Sequence, residues 1–155
     1  MKLLLRELDG KVRVIADSAI ARNNQPWFLP DVGSNWRWHT ALAFRISRLG
    51  KNIASKFADR YVDAVTLLWV PVADNLDVGH CDYMDGAVVC GDWMPYDGAL
   101  PEHIAADLVE YTKCATVKNG DIIARVTADE ARQVSVDSHI SLSYQDQEVL
   151  KFNIK

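Results

Sequence analysis

The clearest structural pattern of the chain lies in residues 36–75, which read WRWHTALAFRISRLGKNIASKFADRYVDAVTLLWVPVADN. The first part alternates as a strand does, because neighbouring side chains of a strand point to opposite faces. One predicted face carries Trp36 and Trp38, and the other carries Arg37 and His39. The pattern therefore predicts a strand with an aromatic face and a mixed face.

A turn, a helix and a second strand are predicted to follow. Gly50 is expected to end the first strand, and Ser55 to cap an amphipathic helix. The apolar side chains of that helix recur at helical spacing, at Phe57, Ala58, Tyr61, Val62 and Val65. The run 65–72 is short and β-branched, which predicts a buried strand that Pro71 interrupts near its end.

Glycine turns organise the rest of the chain. Asp9-Gly10 and Asn119-Gly120 each predict a hairpin, the first between residues 3–8 and 11–16, the second between 116–118 and 121–126. Residues 84–94 are read as mostly strand, and residues 22–30 as an extended segment anchored by Trp27 and Phe28. Pro101 is expected to open a helix that runs to about Cys114 with one buried stripe, made of Ile104, Leu108, Tyr111 and Thr112.

The C-terminal residues alternate twice around the turn Gln145-Asp146-Gln147, which predicts a terminal hairpin with one buried face. The chain contains no internal repeat, linker or low-complexity tract. We therefore predict a single α+β domain over residues 1–155, with a curved mixed sheet and two main helices.

Composition excludes several classes of function. The 155 residues are 49% hydrophobic and 25% charged, as in an ordinary globular domain. The net charge of −4, without a Lys/Arg cluster beyond single pairs in the sequence, argues against nucleic acid as a partner. Arg6 and Glu7 interrupt the first apolar run, so neither a signal peptide nor a membrane span is expected. Three cysteines without metal-ligand spacing favour a reducing, cytoplasmic location.

Four segments, taken in order, resemble the fumarylacetoacetate hydrolase family. They are DSAIARNNQPWFLPD (17–31), LAFRISRLGKNIASKFADRYVD (42–63), MDGAVVCGDWMP (84–95) and TVKNGDIIA (116–124). No single segment is specific for the family, and the resemblance rests on the four segments occurring in the same order. The resemblance implies the fold of the family's C-terminal domain, a curved β-roll. It also implies a homodimer, a bound Mg²⁺ or Mn²⁺, and hydrolysis of a carbon-carbon bond or isomerisation in a small oxo-acid.

The residues at the family's metal positions depart from the family pattern. The resemblance places two glutamates, spaced i and i+2 on the first strand, at His39 and Ala41, and an aspartate of the second strand at Val70. Mg²⁺ prefers an octahedron of oxygen ligands, and none of these three side chains offers an oxygen. We therefore predict that the family metal is absent. The family's two lysines fall on Ile15 and Asp82, and its N-terminal segment with the catalytic histidine is expected to be missing.

Two functional hypotheses follow. In the first, the chain is a family-like protein that has lost its metal and catalytic residues and serves as a binding or scaffolding paralogue. It would pair with itself or with an intact family paralogue. In the second, the chain hydrolyses or isomerises an acylpyruvate or a fumarylacetoacetate-like acid through the replacement residues Arg37, His39 and Asp82. The loss of all three carboxylates favours the first hypothesis.

Other candidate sites are weaker. The run Asp77, Gly79, His80, Cys81, Asp82 and Asp85 resembles a metal-binding loop but is interpreted as a solvated one. Cys90 is interpreted as a small core residue. Trp36 and Trp38 are interpreted as core or interface side chains rather than as a stacking shelf for a ligand. A homodimer is expected through residues 27–38 or through the terminal hairpin.

Overall fold

The structure, a computed structural model, describes residues 1–76, 82–127 and 130–155. In these ranges its strands are β1 Lys2–Arg6, β2 Val12–Ala16, β3 Ile20–Arg22, β4 Ser34–Ile46, β5 Val62–Asp74, β6 Val88–Cys90, β7 Met94–Pro95, β8 Ile122–Val126, β9 Arg132–Gln133, β10 His139–Tyr144 and β11 Gln147–Asn153. Among the helical segments that lie wholly in these ranges are the α-helix α1, Glu102–Thr112, and the 3-10 helices η1, Asp17–Ala19, and η2, Ser55–Tyr61.

The main sheet is mixed and has the strand order β2-β1-β8-β4-β5-β6-β3, with β7 beside β5 and β9 beside β4. Strand β1 runs parallel to β8, and β3 parallel to β6, while the other pairs are antiparallel. Strands β10 and β11 form a separate two-stranded sheet. The predicted α+β domain with a curved mixed sheet and two main helical segments is confirmed.

The sheet curls around one of its own faces. That face buries a single cluster of small and branched side chains from most of its strands, among them Leu3, Leu5, Ile15, Ala41, Ala43, Leu68, Val70, Val88 and Ala124. The other face is covered in two parts. Helices α1 and η2 cover one part, around Phe44, Ile104 and Leu108. The β10–β11 hairpin covers the other part, around Trp69 and Phe152.

Strands β4 and β5 form the longest pair of the sheet, with thirteen residues each. The predicted alternation of β4 is confirmed, since Trp36 and Trp38 pack under the terminal hairpin while Ala41 is buried on the opposite face. Strand β5 likewise directs Leu67 and Trp69 to one face and Leu68 and Val70 to the other. A strand that is covered on both faces is apolar without interruption.

The amphipathic α-helix predicted from Ser55 is replaced by a shorter 3-10 helix. Segment η2 is a 3-10 helix with Ala54 at its N-cap, and no side chain caps it. Val62 and Val65, read as helical, begin β5, where they pair with Ile46 and Phe44 of β4. The long antiparallel pairing overrides the local helical spacing because it buries both β-branched side chains.

Pro71 does not interrupt β5, which continues to Asp74 with Pro71 opposite Trp38. On β5, strand β6 pairs with Leu68 and Trp69, and within the described ranges no strand continues that side of β5 as far as Pro71. An edge tolerates a residue without an N–H because no ladder bond is lost there.

The Asn119-Gly120 turn forms. Gly120 has φ +92°, and the N–H of Asp121 donates a hydrogen bond of 3.0 Å to the carbonyl of Lys118. The predicted hairpin around it is wrong. Val117 makes an isolated bridge with Gly50, and β8 pairs with β1 and β4 instead. The turn depends only on its own residues. The pairing of β8 depends on distant strands, because β8 buries its isoleucines when it lies between β1 and β4.

The remaining predictions have mixed outcomes. The hairpin around Asp9-Gly10 and the terminal hairpin are confirmed. Helix α1 is confirmed with all four residues of its stripe buried. The strand predicted at 84–94 is reduced to β6 and β7. Trp27 anchors the 22–30 segment, but Phe28 is 67% exposed and does not.

An ion-pair network joins α1 to the sheet. Arg6 and Arg125 are neighbours on the parallel strands β1 and β8, and both donate to Asp107 of α1, at 2.8–3.0 Å. Asp107 is only 3% exposed. Two adjacent guanidinium groups repel each other, so the carboxylate between them reduces that repulsion and holds the helix in place.

Replacing Asp107 by alanine is expected to lower the free energy of unfolding by about 2–4 kcal/mol, because it leaves two partly buried guanidinium groups facing each other. Glu110→Ala provides the matched control. It also removes an Arg6 partner from α1, but Glu110 is 66% exposed on its side chain, so the cost is below about 1 kcal/mol. Urea unfolding of both variants measures the difference. Equal costs would show that the buried network does not hold the helix.

Candidate functional site

The three positions that the sequence resemblance assigned to a metal lie side by side in the structure. His39 of β4 and Val70 of β5 are directly opposite each other in the antiparallel register. Ala41 lies two residues further along β4 with its side chain on the same face. The register of β4 and β5 therefore brings together the three positions that the resemblance assigned to a metal, and none of them is a carboxylate.

A cavity of about 210 Å³ opens beside His39 and Val70. Most of its lining is apolar, and two carboxylates and one imidazole complete it: Glu7, Leu8, Asp9, His39, Val70, Val72 and Val126. Ala41 is fully buried in the core and does not line the cavity.

The β1–β2 turn forms one wall of the cavity. Strand β8 pairs with β4 as far as Val126, opposite Ala41, and the N–H of Thr127 donates to the carbonyl of Thr40 at 2.9 Å. Strand β1 ends at Arg6, and the turn that follows brings Glu7, Leu8 and Asp9 to the cavity. Gly10 allows this tight turn with φ +87°, and the N–H of Gly10 donates to the carbonyl of Glu7 at 3.0 Å.

His39 is half-buried, and its Nδ1 atom is buried with no hydrogen-bond partner in the described part of the chain. Burial lowers the pKa of His39 below its ordinary 6.5, and the positive charge of Arg37 lowers it further, while Glu7 acts in the opposite direction. The imidazole is therefore neutral at pH 7, able to accept a proton or to donate a hydrogen bond to a bound molecule.

Asp82 is connected to the cavity through an arginine. The Nε of Arg13 donates to Asp82 Oδ1 at 2.7 Å, and its guanidinium lies 3.2 Å from Glu7 Oε1. Arg13 is buried, so its charge is held between the two carboxylates. Asp82 thus supports the wall of the cavity through Arg13 rather than lining it.

Arg37 is directed away from the cavity. Its guanidinium donates to the carbonyl of Asn35 at 2.7 Å and to Asp74 Oδ1 at 3.3 Å. Of the three replacement residues named from the sequence, His39 alone lines the cavity. Asp82 is connected to the cavity through Arg13, and Arg37 forms an ion pair with Asp74 at the end of β5.

The residues at the metal positions do not fit Mg²⁺ or Mn²⁺ by their chemistry. His39 offers one nitrogen, while Ala41 and Val70 offer no lone pair, and hard cations require several oxygen ligands. In the described ranges, no three His, Cys, Asp or Glu side chains come together as a group that could hold a metal. Of the acidic run named from the sequence, residues 77–81 lie outside the described residues, whereas Asp82 and Asp85 lie within them.

The other sequence candidates are accounted for by packing. Burial, reinforced by Asp92, raises the pKa of the Cys90 thiol to about 12, so it is protonated and a poor nucleophile. Four tryptophans, Trp27, Trp36, Trp38 and Trp69, cluster under the terminal hairpin. Trp69 is edge-to-face with Phe152 at 5.0 Å and with Trp27 at 4.8 Å between ring centroids. The interpretation of Trp36 and Trp38 as core side chains is confirmed.

Sequence reasoning missed the roles of Glu7, Asp9 and Arg13. The first two lie in a stretch whose only signal is the Asp-Gly hairpin turn. Arg13 belongs to a strand of alternating pattern, where it occupies the buried face. A charged residue at a strand position that alternation assigns to the buried face is the signal that could have indicated a buried ion pair.

Comparison with solved structures finds the same fold in several enzymes. A 5-carboxymethyl-2-hydroxymuconate delta-isomerase from Mycobacterium smegmatis is 14% identical, with 99% of this chain and 78% of that chain covered and a TM-score of 0.83. A protein from Yersinia pestis CO92 described as belonging to the fumarylacetoacetate hydrolase family is 12% identical, with 99% and 92% covered and a TM-score of 0.83. This chain has the fold of that family.

A maleylpyruvate hydrolase from Sphingobium sp. SYK-6, in complex with manganese(II) ion and pyruvate, is 16% identical, with 99% of this chain and 69% of that chain covered and a TM-score of 0.83. No protein-family profile and no curated protein sequence matches this chain. The resemblance stated from the sequence is confirmed at the level of the fold. Within the described ranges, no helix has the length and apolar character needed to cross a bilayer.

The lowered pKa of His39 predicts a pH dependence of stability. The unfolded chain binds a proton at His39 near pH 6.5 and the folded chain binds it only at lower pH, so stability falls as the pH decreases below 6.5. Between pH 7.5 and 5.5, the free energy of unfolding of the wild type should fall more than that of His39→Gln. His103→Gln, at an exposed position of α1, controls for the substitution itself. Equal slopes for wild type and His39→Gln would contradict the assignment.

Proposed function

We propose that this chain is a non-catalytic binding protein on the fold of a metal-dependent hydrolase, and that it takes a small organic ligand in the cavity beside His39. The pairing of His39 with Val70 carries the proposal, because it puts an imidazole and an isopropyl group where the resemblance expects carboxylates. Such a wall favours contact with apolar groups and one hydrogen bond over coordination of a cation.

The character of the cavity supports a small, largely apolar ligand. Its volume of about 210 Å³ is below the roughly 300–1,000 Å³ of pockets for drug-sized molecules. Leu8, Val70, Val72 and Val126 supply apolar surface, and the imidazole of His39 lines the same cavity as a polar group.

A second candidate function is catalysis by replacement residues, as a hydrolase or isomerase of a small oxo-acid. A neutral imidazole in a cavity is a competent general base, which favours this candidate. Against it, Arg37 is engaged by Asp74 and Asp82 by Arg13, so neither is placed to bind the carboxylate of such a substrate. The binding role therefore has the stronger support.

Calorimetry should detect no binding of Mg²⁺ or Mn²⁺ to the purified chain, because the three metal positions lack oxygen ligands. The same protein should not turn over acylpyruvates or fumarylacetoacetate above the rate in buffer, since that chemistry uses a cation to polarise the substrate oxygen. His39→Ala is the diagnostic variant. An ion site or a turnover that is present in the wild type and lost in His39→Ala would favour the catalytic function instead.

Binding of small neutral fragments can be followed by NMR on the His39 ring. Val72→Phe should abolish binding, because the larger ring fills the cavity that Val72 lines. Val14→Phe provides the matched control, since Val14 is exposed on β2 and does not line the cavity. Fragments that bind both variants equally would place the ligand elsewhere and would contradict the proposed function.

We also propose that the chain forms a homodimer. The tryptophans once expected at the interface are buried within the chain itself, because the terminal hairpin covers them. The same 27–38 region still exposes Phe28, Leu29 and Val32, and contiguous exposed apolar side chains support an interface there.

Light scattering on a sizing column should show twice the mass of one chain at tens of micromolar. Phe28→Ser combined with Val32→Ser should shift the protein to the monomer, because both side chains are exposed in the proposed interface. Leu49→Ser removes an equally exposed apolar side chain on another segment and should leave the dimer intact. A monomeric wild type would refute the assembly.

A further inference from the structure

The segment between β4 and β5, residues 47–61, forms a closed loop that is fixed to the body of the protein. Its ends are joined by a hydrogen bond of 2.8 Å from the N–H of Ser47 to the carbonyl of Tyr61. The N–H groups of Asn52 and Ile53 donate to Thr112 of α1 at 2.7 and 3.1 Å. We call residues 47–61 the basic loop, for the charges described next. Compact loops whose ends meet frequently carry function.

Packing beneath the basic loop holds its outer surface in one arrangement. Ile53 and Ala58 are buried in the core under α1. Gly50 exchanges two backbone hydrogen bonds with Val117, each 2.9 Å long. A Cβ at Gly50 would come within 2.7 Å of the Tyr61 ring, so the glycine allows the two ends of the loop to approach closely. A surface that is ordered before binding loses little entropy when a partner docks.

The charge of the basic loop is opposite to that of the rest of the chain. It contains four basic residues, Arg48, Lys51, Lys56 and Arg60, all exposed, and one acidic residue, Asp59. The loop thus carries +3 in a chain of net charge −4, which leaves −7 on the other residues. The carboxylate of Asp59 accepts a hydrogen bond from the N–H of Leu100 at 2.9 Å, on the side facing the body of the protein.

Apolar and aromatic side chains lie among these charges. The cations of Lys56 and Arg60 lie 4.9 and 4.7 Å from the centre of the Phe57 ring, and Arg48 lies 5.9 Å from that of Tyr61. Leu49 is 68% exposed. Arginine and aromatic residues together are characteristic of protein interfaces and their energetic centres.

We propose that the basic loop is a docking site for an acidic segment of a partner protein that also presents an apolar side chain. Carboxylates of the partner would pair with Arg48, Lys51, Lys56 and Arg60, and its apolar side chain would cover Leu49. The opposite charge of loop and chain supports this choice, because an acidic partner is repelled by most of the surface and attracted here.

Two other anionic partners fit the loop less well. Single-stranded nucleic acid stacks its bases on free aromatic faces, whereas Phe57 is already contacted by two cations and Tyr61 by one. A membrane surface requires a larger set of apolar side chains at one level, and the loop exposes Leu49 and Phe57 as its large apolar side chains. A protein segment uses both the charges and the single leucine.

The test uses a panel of fluorescent acidic peptides of about twelve residues, each with one Leu, Phe or Trp among glutamates, and the full chain. At least one peptide should bind, and its affinity should fall about tenfold or more as salt is raised from low ionic strength, since exposed charges are screened. Arg48→Glu combined with Arg60→Glu should weaken binding at least about tenfold. Leu49→Ser should weaken binding while keeping its dependence on salt.

The matched control is Lys11→Glu combined with Lys155→Glu, which makes the same change in net charge at exposed positions outside the basic loop. It should change affinity by less than about twofold if binding is local rather than a response to net charge. Thermal melting of each variant checks that it is folded. Equal weakening in both double variants, or no binding by any peptide, would overturn the proposal. Binding of an oligonucleotide or of phosphatidylserine vesicles in place of the peptides would overturn it as well.

Discussion

The fold depends on the burial of both faces of β5. This strand lies beside β4 along its whole length, and its side chains alternate between the inside of the curled sheet and the layer under α1 and the terminal hairpin. Because each face is covered by a different part of the chain, a shift of one residue in register would exchange Trp69 with Leu68 and misplace a tryptophan in a core of small side chains. The register is therefore strongly determined.

The same register determines the candidate site. It sets His39 against Val70 and leaves Ala41 in the core, so the place where this fold would gather carboxylates is apolar apart from one imidazole. The charged groups near the cavity come from the β1–β2 turn and from Arg13 and Asp82, and they are largely paired among themselves. An environment of this kind favours the neutral form of His39, and the three positions offer a hard cation no oxygen ligand.

Much of the fold was predictable because its signals are local. The alternation of β4, the stripe of α1 and the two hairpins depend on neighbouring residues and were recognised. The errors occurred where distant partners decided the outcome. Val62 and Val65 have helical spacing but belong to β5, because they pair with β4. The Asn119-Gly120 turn forms without a hairpin because β8 pairs with β1 and β4. The sequence named His39 as a cleft candidate, whereas Glu7, which lines the same cavity, carried no such signal, because its place depends on the path of the β1–β2 turn.

By itself, the sequence determined the class of fold, the two faces of β4 and the absence of carboxylates at the three positions His39, Ala41 and Val70. Each of these follows from residue identity and from the period of a strand. The tertiary structure alone decided which charges meet. It joined Arg13 to Glu7 and Asp82, placed Asp107 between two arginines, and closed the segment 47–61 through the bond between Ser47 and Tyr61. Such contacts lie outside any local pattern because they depend on the path of the whole chain through the sheet.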